Sequence, residues 1–444
     1  MGGSAFAKHG LTMLRLSPRA YTRLKAHHRN LLSTLYAHVT TPPEAPGKTS
    51  HGDIDFLVAD PLPSLFNPDA KQSVRSNVNG AGHTGKLMDR RTVEIIKSTF
   101  GADFTTVPET TTSYAVPLTD EDVGDTETNT TQHTNGKKEK PYVQIDVHVC
   151  PSAENMHWMA FKHSYGDMWS LLGMMARAKG LVADEERLSV RVEEIEGRNR
   201  ELAKVELTRD VGETLRFFGL DEEVYHRGFK DLNEVYKYVE GCRFYSRVYF
   251  RKKAYRNCRD NKKLGKRDMM KGFFGYLGLP VEAEDVGEEN EELEDEGESE
   301  DEDEEEEVVE TEEETGLMVK RMRPKLRREM VLEEALEKFG KRKEYEEKVR
   351  LWRRDVKIEA VGKIFTDALF EGEHCSLNSA RNRGGKLRKE IRKGEHEEVF
   401  EMDERELKAF VERQIERYLK DIQVQPTKIP KNVVAEDAGQ ATLL

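Results

Sequence analysis

The stretch SHGDIDFLVAD, residues 50–60, decides how this chain is read. Its FLVA core is apolar enough for a buried strand, yet Asp53 and Asp55 stand at its entrance with only Ile54 between them. Side chains alternate faces along a strand, so the two aspartates point the same way. A second stretch, YVQIDVHVC (142–150), is the clearest strand in the chain. There the same rule sets Gln144, Asp146 and His148 on one face and Val143, Ile145, Val147 and Val149 on the other. If the two strands are neighbours, Asp53, Asp55 and Asp146 converge. Clustered carboxylates repel one another and resist burial, so such a cluster implies a cation. Hard oxygen ligands select Mg²⁺ or Mn²⁺. Two such ions held close together can clamp the attacking and leaving oxygens of a phosphoryl displacement.

The loop before the first strand fits that chemistry. In EAPGKTSHGD (44–53), Gly47 and Gly52 allow close backbone approach, Lys48 supplies a point charge, and Thr49 and Ser50 supply hydroxyls. These are the parts that receive a phosphate chain. It is not a P-loop, because Pro42 stands where the first glycine of that motif is needed. A lone D-x-D also occurs on solvent-facing strand edges; joined to this loop and to Asp146, it favours the metal site.

His148 reads as a structural histidine or a support for a ligand rather than a ligand itself. Lys162, His163 and Asp167, in FKHSYGD (161–167), either line a nucleotide site, with Lys162 toward phosphates, or are ordinary partly buried polar residues. Met156, Trp158, Met168, Trp169, Met174 and Met175 read as core.

Composition bounds the rest. The 444 residues are 36% hydrophobic and 35% charged, enough for two or three domains with part of the chain solvated. The four cysteines form no CxxC pair, which excludes a zinc knuckle or disulfide framework and suits a reduced, cytoplasmic or nuclear setting. The acid-free, basic stretch 1–43 would also suit a mitochondrial presequence, but it reads as a structured helix. No apolar run reaches the roughly 18 residues of a membrane span. Residues 282–314 hold 23 acidic and no basic side chains; without them the net charge of −13 becomes +10. A basic body favours a polyanion partner. In 242–271, Arg and Lys alternate with Phe and Tyr, a pattern that suits single-stranded RNA or DNA through phosphate contact and base stacking, or a basic helix with its aromatics in the core.

The expected order is a catalytic domain over 1–153 with a mobile polar insertion at 119–140, then a mainly helical domain over 154–280. A disordered acidic linker (281–316) and a charged helical region (317–444) follow. Ser17 and Pro18 predict a helix over 17–38, and strands are expected at 53–59, 111–118, 142–150, LSVRV and KVELT. A long helix is expected over 154–180 with a break near Gly166. The oligomeric state is left open.

GKTSHGDID (47–55), the apolar run after it, the later strand bearing Asp146 and the opening MGGSAF (1–6) resemble the DNA polymerase beta-like nucleotidyltransferase superfamily. The likeness is to a fungal and phage-type branch that begins GG-[SA]-x-F. It covers about residues 1–150 and extends less specifically to about 275. It implies an α/β (α+β) fold with a mixed-sheet catalytic domain, and transfer of a nucleoside monophosphate from a nucleoside triphosphate to an acceptor hydroxyl; of an RNA 3′ end, a protein hydroxyl or a small molecule, the basic remainder and the Arg/aromatic segment favour the RNA 3′ end. It further implies that Asp53 and Asp55 hold the nucleotide-side ion and that Asp55 and Asp146 share the second. The sequence departs from the family in one place. A Gly-Ser pair is expected some ten residues before Asp53, where Thr41, Pro42 and Pro43 stand instead. Either the N-terminal Gly2, Gly3 and Ser4 fold back to supply phosphate donors, or triphosphate binding is weakened and the domain is a silent, nucleic-acid-binding or scaffolding relative.

Overall fold

A computed structural model of the chain describes residues 5–62, 88–106, 110–124, 140–259, 267–281, 306–311, 318–323, 326–372 and 374–423. It is mixed α and β, a mixed sheet plus a helical region, and divides into two compact units, 1–342 and 343–444.

The first unit opens with β1 (Thr12–Met13) and α1 (Pro18–Leu32). Ser17 caps α1 by accepting from the Ala20 amide, with proline in the first turn. The helix stops at Leu32 rather than running to 38. The Ser33 and Thr34 hydroxyls bond back to the carbonyls of Arg29 and Leu31, and the β-favouring Tyr36, Val39 and Thr40 leave as β2 (Tyr36–Thr40). Then come β3 (Asp53–Pro61), α2 (Arg90–Phe100) ending at a left-handed Gly101, β4 (Phe104–Thr105), β5 (Thr111–Pro117), α3 (Asp120–Gly124) and β6 (Pro141–Val149). The strands form one sheet in the order β2-β3-β6-β5-β4, with β1 also pairing to β6. The pairs β3/β6 and β1/β6 are parallel; the others are antiparallel.

The alternation sorts the sheet into two faces. Ile54, Phe56, Val58, Val143, Ile145, Val147 and Val149 are buried under α1 and α2 in the main core. The other face is covered in two patches. Leu57 and Ala59 lie under Met156 and Met159 of α4 (Ala153–Lys162), while Ala115 and Tyr142 lie under Phe6. Full burial of Phe6 contributes about 1.5–3 kcal/mol and fixes the N-terminal turn to the sheet. Between the patches lies the strip carrying the aspartates.

Part of the insertion expected to be mobile is ordered. Asp122 is buried, accepts from the amide and hydroxyl of Thr119, and pairs with Arg23 of α1 at 2.5 Å. Residues 125–139 lie outside the described residues.

α4 and α5 (Met168–Ala178) are separated by a turn at 163–167, which places the expected break at Gly166. Strands β7 (Leu181–Ala183), β8 (Leu188–Arg191) and β9 (Lys204–Thr208) form an antiparallel sheet, with α6 (Glu193–Glu196) between the last two. Helices α7 (Val211–Phe217), α8 (Glu222–Arg227), α9 (Leu232–Glu240), α10 (Arg247–Arg259) and α11 (Asp268–Tyr276) follow. Phe244 and Phe250 of the Arg/aromatic segment are fully packed, Phe250 against Phe273, so neither is available to stack on a base. The acidic linker is not wholly without structure: β10 (Glu306–Thr311) pairs antiparallel with β11 (Met318–Arg323), and Glu306 stands in register with Arg323. Helix α12 (Arg328–Lys338) packs in the same unit, through Arg328 to Glu196 and Arg243 to Glu334.

The second unit gathers α13 (Arg342–Glu371), α14 (Leu377–Arg392) and α15 (Glu404–Gln423) around Phe365, Leu387 and Phe410. Among the described residues no helix is long and apolar enough to cross a membrane.

Candidate metal centre

β3 and β6 run side by side with Asp55 in register with Asp146, and Asp53 with Gln144. Ligand oxygens of Asp53, Asp55 and Asp146 all lie within 4.8 Å of one another. The three carboxylates expected from alternation therefore do meet, and an all-oxygen set of this kind could hold a divalent ion. Asp55 and Asp146 face a cavity of about 240 Å³.

The electrostatics match that arrangement. Asp55 reaches solvent through the cavity mouth, but protein crowds it on the other sides. Burial, then the charges of Asp53 and Asp146, push its carboxyl up to about 7. Burial also raises Asp146, while hydrogen bonds from Ser113 and Gln144 oppose the rise. Such carboxyls are poorly tolerated as anions without a counter-charge, and a cation would relieve them.

Lys48 and Glu44 line the same cavity as Asp146. Lys48 Nζ donates to Glu44 Oε2 at 2.5 Å, and Tyr21 Oη donates to Glu44 Oε1 at 2.9 Å. The Tyr21 ring stacks on His51 at 3.8 Å. Burial works to raise the Glu44 carboxyl, but Lys48 and Tyr21 outweigh it and hold it below its usual range. His148 and His163 also line the cavity, with His148 Nδ1 2.7 Å from the Thr111 hydroxyl. Burial lowers both imidazoles, which favours their neutral forms.

The loop at 41–52 is clipped to the turn between α4 and α5. The Tyr165 amide donates to the Pro43 carbonyl at 2.7 Å, and Gly166, at φ +69°, sits against Ala45. Tyr165 itself has φ +53°, a conformation costing a non-glycine residue roughly 1–2 kcal/mol. Its buried ring against Tyr225 and Phe229, and its hydroxyl on the Tyr225 carbonyl, hold it there.

The remaining expected residues divide. Lys48 lines the cavity; Gly47, Ser50 and Gly52 do not. Gly47 makes a left-handed turn at φ +75°, and Ser50 accepts from Arg15 through its hydroxyl and its carbonyl. Lys162 is not a lining residue either. Burial lowers its amine, and the charges that face it are those of Glu185 and Asp184. Its neighbour His163 takes the wall position. Gly3 and Ser4 lie outside the described residues, but the Ala5 amide donates to Gln144 Oε1 at 3.0 Å. Sequence reasoning missed Glu44 and Thr111. The one signal for Glu44 was its spacing four residues before Lys48. Thr111 carried none, since its place opposite His148 depends on strand pairing.

No family model matches the chain, and a search of curated proteins finds no match.

Proposed function

We propose that this chain is a metal-dependent nucleotidyltransferase that moves a nucleoside monophosphate from a nucleoside triphosphate to an acceptor hydroxyl. The observation that carries the reading is the meeting of Asp53, Asp55 and Asp146 on adjacent parallel strands, with Asp55 and Asp146 lining the same cavity as Lys48. The three carboxylates would hold Mg²⁺ or Mn²⁺, which supplies charge neutralisation to the phosphates and activation of the acceptor hydroxyl. Lys48 has the place and charge to receive phosphate oxygens once they displace Glu44. Neutral His148 and His163, which line the cavity, can accept or donate a hydrogen bond to a bound nucleotide or acceptor.

An RNA 3′ end is the favoured acceptor because the chain outside 282–314 carries +10. That argument rests on charge, since Phe244 and Phe250 are buried.

A second reading has an observation of its own. Pro42 and Pro43 line the cavity where a phosphate-binding Gly-Ser would be expected, and proline has no amide hydrogen to donate. In this reading the domain is silent and serves to bind nucleic acid or to scaffold. Incubation with Mn²⁺ and each labelled triphosphate, with and without RNA, against Asp53→Ala, separates the two. Label transfer that Asp53→Ala abolishes supports the enzyme. No transfer to any acceptor, together with no Mn²⁺-dependent triphosphate binding, sinks it.

A further inference from the structure

The third aspartate is not held by the sheet alone. Gln144, two residues earlier on the same face of β6, is buried at 4% exposure. Its side-chain nitrogen donates to both oxygens of Asp146, at 3.0 and 2.9 Å. Its side-chain oxygen accepts from the Ala5 amide at 3.0 Å. The direction of this relay is forced. A backbone amide can only donate and a carboxylate can only accept, so one orientation of the Gln144 amide satisfies both and the flipped one satisfies neither. Ala5 is fixed in turn by its neighbour Phe6, which is fully buried against Ala115 and Tyr142. Ala115 is the register partner of Gln144 on β5.

We infer that Gln144 is a positioning residue for Asp146, oriented by the Ala5 amide, and that the N-terminal turn is thereby part of the metal centre. The Gln144 amide, with Ser113, takes part of the lone-pair capacity of the Asp146 oxygens and leaves the rest for a cation. Gln144 thus sets the angle at which Asp146 faces Asp55 without competing for the ion. Glutamine is the residue type this requires. Glutamate would offer no donor to Asp146, and methionine fills the same space with neither donor nor acceptor.

The inference rests on the metal reading above, so its test measures metal binding directly. Mn²⁺ is titrated into the full chain and followed by the electron paramagnetic resonance signal of the free ion, for wild type, Asp146→Ala, Gln144→Met and Ala5→Pro. Partners that orient a metal-ligating group are worth roughly tenfold to a hundredfold in metal affinity. Gln144→Met is therefore expected to weaken Mn²⁺ binding by about tenfold or more. Ala5→Pro, which removes the amide hydrogen and also fixes φ, should weaken it in the same direction by less. Circular-dichroism melts of the same proteins in EDTA supply the control: Gln144→Met should melt within a few degrees of wild type, and a collapse of its metal-free fold would assign the weaker binding to general loosening and overturn the positioning role. Wild type binding no Mn²⁺ that Asp146→Ala loses would overturn the metal reading and this inference with it. Wild-type binding lost in Asp146→Ala but unchanged within twofold in Gln144→Met would overturn this inference alone.

Discussion

Replacing Asp55 with asparagine should stabilise the metal-free protein while removing its response to metal. The Asp55 carboxyl sits at about 7 in the folded chain against 3.8 for the free side chain, raised by burial and then by Asp53 and Asp146. The folded state therefore holds a proton that the unfolded state releases at lower pH. Stability is lost as pH climbs through that interval, and the deficit is constant above about 7. Sealed from solvent, such a shift would cost the fold about 4 kcal/mol. Asp55 opens onto the cavity, and screening there reduces the cost to about 1–2 kcal/mol. Asparagine keeps the shape and carries no charge. In EDTA at pH 8, Asp55→Asn should melt about 2–4 °C above wild type, and at pH 4 the two should coincide. Mn²⁺ at a hundred times its dissociation constant should add about 2.7 kcal/mol to wild type and almost nothing to the variant, reversing the order. Calorimetric or circular-dichroism melts over pH 4–8, with and without Mn²⁺, measure all of this. A variant less stable than wild type at pH 8 in EDTA, or a difference independent of pH, would refute the electrostatic account of the site.

Lys48→Met removes the cation that lines the cavity with Asp55. Losing a hydrogen bond to a charged group costs about 1.5–3 kcal/mol, so the KM for triphosphate should rise roughly tenfold to a hundredfold with kcat less affected, while stability changes by no more than about 1 kcal/mol. In the second unit, neighbouring glycines of α14 should respond with opposite signs. A Cβ at Gly384 would meet Thr366 Oγ1 at 2.1 Å and the Gly362 carbonyl at 2.8 Å, so Gly384→Ala should destabilise that unit by about 1–3 kcal/mol. At Gly385 nothing comes nearer than Arg388 Nη2 at 4.0 Å, and Gly385→Ala should stabilise by about 0.5–1 kcal/mol. Denaturant melts of the two single variants compare them.

What the sequence disclosed followed the range of each signal. The period-two alternation of β3 and β6 is local, so the facing of Asp53, Asp55 and Asp146 could be read directly, although their meeting depended on a register that no local pattern specifies. β2 was hidden because Leu35 and Tyr36 extend the apolar spacing of α1, and only the hydroxyl back-bonds of Ser33 and Thr34 end the helix. β10 was hidden by composition. A glutamate-rich segment reads as solvated until the basic strand β11 is placed beside it. The relay from Ala5 through Gln144 spans 139 residues, which puts it beyond any reading of neighbours in sequence.

The loop at 41–52 links these observations to the chemistry. Pro42 and Pro43 bring no amide hydrogens to the cavity they line, so positive charge for phosphate on that wall has to come from a side chain, and Lys48 is the lysine that lines it. Lys48 is exposed, so its pair with Glu44 contributes little to stability and can be exchanged at small cost. An arriving triphosphate would have to displace one carboxylate from Lys48 and Tyr21. It would bring several negative charges to the exchange, which favours a polyphosphate over a monoanion as the competitor for Lys48. The same exchange would strip Glu44 of the Lys48 and Tyr21 partners that offset its charge, and that charge already raises Asp55. On the proposed function, substrate and cation binding would be coupled through Glu44: a phosphate that took its place on Lys48 would strengthen the demand for a divalent ion between the aspartates.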